Sequence, residues 1–189
     1  MQMRPSARGT TYPLVLAALL TAMTAAGAWI RIPGPVVPIT AQTLFTYLAG
    51  ALLSRRQAFL SQAAYLLLGL AGVPVFALGG GLAYLMQPSF GYLFALPFAA
   101  LTIAQVEHSR RAITVGRRMV SLALGSVCVF SLSAIWLYFY FDCVMKTPTS
   151  LRTLSSLWVL PFVPGEAVKI VAAAFISIAL EKRMKEIVI

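Results

Sequence analysis

The chain has 189 residues, of which 60% are apolar and 11% charged, with a formal net charge of +10. Soluble domains carry about 25% charged residues, so the composition excludes an ordinary soluble domain and points to an integral membrane protein. The positive charge does not indicate nucleic-acid binding: the basic residues fall in small clusters between apolar runs, and none is interleaved with stacking aromatics.

Six apolar segments are predicted: Tyr12–Ile30, Ala41–Leu53, Gln57–Leu70, Gly91–Val106, Met119–Phe141 and Gly165–Leu180. Each reads as a helix, and the expectation is one all-α domain over residues 1–189 with six transmembrane spans. A span needs about 20 residues, so the second and third segments are short. The first segment follows Arg4 and Arg8 and is read as a retained helix, not a cleaved signal.

Lysine and arginine set the orientation. Arg4, Arg8, Arg55, Arg56, Arg110, Arg111, Arg117, Arg118, Lys182, Arg183 and Lys185 fall on one side, and Arg31, Lys146 and Arg152 on the other. This asymmetry predicts cytoplasmic N- and C-termini in a cell (plasma or inner) membrane. The basic loop Arg110–Arg118 reads as a topology determinant that touches anionic lipid.

Between the first two segments, Pro33, Pro35 and Pro38 fix φ and forbid a helix. A second outer loop, Gly72 to Phe90, contains Gly79-Gly80-Gly81, which lacks the Gly-Lys-Ser/Thr ending of a phosphate loop. A third runs from Asp142 to Pro164. Irregular backbone at membrane depth is tolerated where it is buried or lines a cavity. The three loops therefore predict an outward-facing pocket.

The sixth segment opens with Pro164-Gly165-Glu166-Ala167-Val168-Lys169. A charge at mid-bilayer depth costs roughly 2.5–3.5 kcal/mol, so Glu166 and Lys169 must pair, face water or hold a ligand. At spacing i, i+3 they share one helix face. A plainer reading has Glu166 capping its helix and Lys169 reaching outward to the interface. Gln42 offers a donor and an acceptor beside the Pro-rich loop. Tyr84, Tyr92 and Trp136 offer apolar faces with polar tips. Gly79 and Gly80 allow backbone to approach a ligand or hinge a lid.

Ala18, Ala22 and Ala26 repeat every fourth residue on the first helix. Small residues at that spacing let another helix approach closely, inside the bundle or from a partner. Cys128 and Cys143 have no metal-site spacing and read as passive thiols. His108 is the single histidine and lies in the basic loop far from the charged pair. No metal cluster or nucleophile–base set can be assembled on one face, so neither a metal, a cofactor nor an enzyme is expected.

Several motifs resemble the BioY family, the biotin-specific S-components of energy-coupling-factor (ECF) transporters. They are Ile30-Arg31-Ile32-Pro33, Val37-Pro38-Ile39-Thr40-Ala41-Gln42-Thr43-Leu44-Phe45, Gly72-Val73-Pro74-Val75-Phe76, Gly91-Tyr92 and Leu160-Pro161-Phe162-Val163-Pro164-Gly165-Glu166-Ala167-Val168-Lys169. The resemblance implies an S-component fold that binds biotin near its outer face, through Glu166, Lys169, Gln42, Tyr84, Tyr92, Trp136, Gly79 and Gly80. It also implies that a separate coupling subunit docks on Ala18, Ala22 and Ala26, and that a separate ATPase pair hydrolyses ATP. The family's last motif usually reads Pro-Gly-Asp-x-x-Lys, and Glu166 replaces the aspartate here. Some members have an asparagine in the Gly-rich loop and an arginine after the Gly-Tyr pair. This chain has Leu78-Gly79-Gly80-Gly81-Leu82 and Leu93 there, with Gln87 and Phe90 where glycine is common. The partner of the biotin carboxylate therefore stays open.

Overall fold

The computed structural model describes residues 7–33, 37–108, 114–147, 150, 153 and 160–188. Each predicted apolar segment forms one α-helix: α1 (Ala7–Trp29), α2 (Gln42–Leu52), α3 (Arg55–Leu70), α4 (Phe90–His108), α5 (Val115–Phe139) and α6 (Val163–Val188). Of the residues used to predict orientation, Arg4, Arg110, Arg111 and Arg152 lie outside the described residues.

Local chemistry sets several helix boundaries. Ser54 and Gln57 form a capping box that starts α3 two residues after α2 ends. The Thr114 hydroxyl accepts the Arg117 amide at the start of α5. Pro164 and Gly165 occupy the first turn of α6, where an absent N–H costs nothing. The Pro-rich loop is tied at its base by a two-residue antiparallel ladder, β1 (Arg31–Ile32) against β2 (Ile39–Thr40), with Arg31 opposite Thr40. The sequence predicts the absence of helix here, but not this hairpin.

Among the described residues, four segments are long and apolar enough to cross a membrane: Tyr12–Trp29, Phe90–His108, Val115–Val144 and Leu160–Met184. With 11 and 16 residues, α2 and α3 fall short of that length. α2 lies at the centre of the bundle, where Tyr47 and Ala49 are fully buried. Its approach to α4 requires a glycine: a Cβ at Gly50 would stand 2.6 Å from the Ile103 Cβ. The outer faces carry exposed large apolar residues on every long helix, among them Leu19, Phe98, Val127 and Phe175. Such a surface suits lipid, not water.

Buried hydrogen bonds join the helices. The Gln62 side chain on α3 accepts from Thr46 of α2 at 3.0 Å and from Thr24 of α1 at 3.4 Å. Farther along, Arg118 at the start of α5 is fully buried. Its Nη1 donates to the Ala51 carbonyl at the end of α2 (2.9 Å), and its Nη2 pairs with Glu181 of α6 at 2.7 Å. Its Nε lies 3.5 Å from the Glu107 carboxylate of α4, which also accepts the Ser121 hydroxyl. One guanidinium thus holds four helices, and Arg118 is not a lipid-facing member of the basic loop.

Removing one member of a buried ion cluster leaves the others uncompensated, at about 3–5 kcal/mol. Arg118→Met is therefore expected to lower thermal stability sharply in detergent. The Arg118→Met/Glu107→Gln double variant should recover part of that loss. Equal unfolding temperatures for wild type and Arg118→Met would contradict the role.

Candidate functional site

The start of α6 meets the middle of α2 beneath the Pro-rich hairpin. There Glu166 and Lys169 form an ion pair with most of both side chains buried. The Glu166 carboxylate accepts the Thr43 hydroxyl at 2.9 Å on Oε1 and the Tyr47 hydroxyl at 2.6 Å on Oε2. The Lys169 ammonium donates to Glu166 Oε1, to the Thr43 hydroxyl at 2.6 Å and to the Thr40 carbonyl at 3.0 Å. An ammonium has three donors, and three partners take them. The pair is thus internally neutral and rigidly placed, while Oε2 keeps acceptor capacity.

A narrow cavity of about 40 Å³ opens above this pair. Val37, Pro38 and Thr40 of the hairpin form one wall; Ala77, Tyr84 and Ser89 of the second loop form another. The apolar side is built from α4 and α5 with Leu93, Leu96, Val129 and Phe130. Tyr92 and Phe162 stack there, with ring centroids 5.6 Å apart. The polar side holds Gln42, Thr43, Glu166 and Lys169.

A second set of bonds orients Gln42. Its carbonyl accepts the Thr40 hydroxyl at 2.7 Å, and its amide donates to the Tyr65 hydroxyl at 2.6 Å. Tyr65 in turn donates to the Val75 carbonyl at 2.9 Å. This relay ties the hairpin, α2, α3 and the second loop together below the cavity. Tyr65, Phe76 and Tyr84 continue it as edge-on aromatic contacts.

Of the eight predicted ligand residues, Glu166, Lys169, Gln42, Tyr84 and Tyr92 line the cavity. Trp136, Gly79 and Gly80 do not. Trp136 packs on Gly91 and Phe90, and its indole N–H donates to the Gln87 carbonyl at 3.2 Å. It braces the second loop from outside. Gly80 is pressed against backbone, since a Cβ there would stand 2.3 Å from the Val73 carbonyl oxygen. Gly79, at φ 115°, closes a tight turn with Phe76 and borders a separate outer hollow. Ala18, Ala22 and Ala26 all lie exposed on α1, outside the bundle's internal packing. Thr40, Thr43, Tyr47 and Tyr65 are not among the predicted ligand residues. The available signal was the polar cluster Gln42, Thr43 and Thr46 inside an apolar segment.

These features define a helical membrane protein with a largely apolar cavity beside a buried acid–base pair. Residues 2–186 match the model of the BioY family, and the chain belongs to that family. It is 36% identical over 170 residues to a probable biotin transporter BioY of Lysinibacillus sphaericus, covering 90% of this chain and 83% of the relative. It is 33% identical to the biotin transporter BioY of Thermotoga maritima, covering 89% and 95%. Its fold is similar to the crystal structure of the S-component for biotin from an ECF-type ABC transporter, with a TM-score of 0.80, 28% identity and 95% coverage of each chain. The family is one of transporter components, not enzymes.

Tyr47→Phe removes a hydrogen bond to a buried carboxylate, an interaction worth about 1.5–3 kcal/mol. The variant should unfold at a lower temperature than wild type in detergent while keeping its helical circular dichroism. An unchanged melting temperature would mean that Tyr47 does not hold Glu166.

Proposed function

We propose that the chain is a biotin-capturing S-component that takes up the vitamin across the cell membrane. The observation that carries this reading is the contrast inside the cavity between a polar floor around one oriented carboxylate and an apolar wall from α4 and α5. Biotin carries a ureido group with two N–H donors and one carbonyl, an apolar thioether ring, and a valerate tail ending in a carboxylate. Glu166 offers acceptor capacity to a ureido N–H. Gln42, held by Thr40 and Tyr65, offers an amide to the same group. The stacked Tyr92 and Phe162 and the aliphatic wall suit the thioether ring.

The chain is proposed to be a single domain with six membrane crossings and cytoplasmic termini. α2 and α3 complete their crossings with the hairpin and the second loop. The lysine and arginine asymmetry supports this orientation. Uptake requires energy from a coupling subunit and an ATPase pair on other chains. The exposed stripe Ala18, Ala22 and Ala26 supports docking of the coupling subunit on α1. Trp136, Gly79 and Gly80 serve as supports of the second loop in this reading, one step removed from the ligand.

Glu166→Gln and Lys169→Met should each weaken biotin binding to the purified chain at least about tenfold, equivalent to 1.4 kcal/mol, by calorimetry. Biotin should raise the melting temperature of wild type, and lipoate and thiamine should not. Unchanged affinity in both variants would remove the pair from the site, and equal stabilisation by thiamine would remove biotin as the ligand.

A further inference from the structure

The cavity poses a charge problem for an anionic ligand. Among the described residues, its lining contains two charged side chains, Glu166 and Lys169. Lys169 is neutralised by Glu166, and its three donors are engaged. The polar floor is therefore built to accept N–H groups, not to hold a carboxylate. If biotin binds with its ureido group there, its charged tail must find a cation toward the mouth.

Arg31 does not line this cavity but stands beside it on the hairpin. It sits on β1 directly opposite Thr40, the residue whose carbonyl anchors Lys169. Its Nη1 donates to the Ala77 carbonyl, and Ala77 lines the cavity. Arg31 and Ala77 also border the outer hollow, which spans about 540 Å³ and opens outward. The cavity-lining Tyr84 lies within the field of Arg31. Its phenol is pushed up by burial, against the hydrogen bond from Ser89, a backbone bond at Leu78 and the Arg31 charge. The guanidinium thus rests on Ala77, a residue that borders both spaces. A guanidinium has five N–H donors in a planar fork. One rests on Ala77, and the others remain for an anion.

We propose that Arg31 is the residue that binds the ligand's carboxylate and gives the site its preference for an anionic tail. The inference rests on the biotin reading above. Arg31 is exposed, so replacing it leaves the packed core intact. The predicted preference is modest, because a solvated ion pair is screened.

The test compares biotin with biotinamide, whose tail is neutral, on the full chain in detergent by calorimetry. Wild type should bind biotin about tenfold more tightly than biotinamide, from a charge-assisted hydrogen bond at a solvated rim. Arg31→Gln should abolish that preference by weakening biotin alone, and Arg31→Lys should retain part of it. The wild-type preference should also shrink as salt is raised. If Arg31→Gln leaves the preference intact, the anion is held elsewhere and the proposal fails while the biotin reading stands. Equal weakening of both ligands by Arg31→Gln would assign Arg31 to loop closure and also overturn the proposal. Binding of neither ligand by folded wild type would overturn the biotin reading and this inference together.

Discussion

A carboxylate buried in an apolar bundle has to be met by donors, and the geometry around Glu166 follows from that requirement. Lys169 supplies the compensating charge from one turn along α6. Thr43 and Tyr47, one turn apart on α2, supply hydroxyl donors. Satisfying these groups fixes α6 against α2, and the Thr40 carbonyl that takes the third ammonium donor fixes the hairpin above them. These side chains are therefore held in place by one another, without a ligand. Preorganisation of this kind reduces the ordering cost of binding.

The bilayer imposes the second constraint. Backbone polar groups within it must be satisfied internally, so irregular segments belong where protein covers them. The hairpin and the Gly-rich loop meet over one end of the bundle and wall the cavity. α2, with 11 residues, is too short to cross by itself and is the buried centre around which α1, α3, α4 and α6 pack. At the far end Arg118 performs for the bundle what Glu166 performs for the site: one buried charge is shared among several helices. Between these two polar centres the packing depends on small residues, Gly50 and the buried alanines of α4.

The helices were legible because each is a continuous apolar run interrupted by charge, proline or glycine. Glu166 and Lys169 were legible because a charge in an apolar helix is costly enough to demand a reason. Thr43 and Tyr47 were not. A threonine or tyrosine in a membrane helix is common, and only three-dimensional proximity to Glu166 gives these two a task. Trp136 has the same chemistry as Tyr92, yet its place behind Gly91 makes it a brace. One-dimensional sequence does not distinguish the cavity side of α5 from its outer side. Arg118 follows Arg117 directly in a basic cluster, and adjacency concealed that it turns inward. The hairpin ladder was missed because prolines exclude helix without specifying what replaces it.

In the proposed complex, the ureido group of biotin lies against Glu166. The most direct measurement is a structure of the chain with biotin bound. The account predicts a ureido nitrogen within hydrogen-bond distance of the Glu166 carboxylate, the thioether ring against Tyr92 and Phe162, and Thr43 and Tyr47 still bonded to Glu166. A ligand with its carboxylate on Lys169, or one seated outside this cavity, would contradict it.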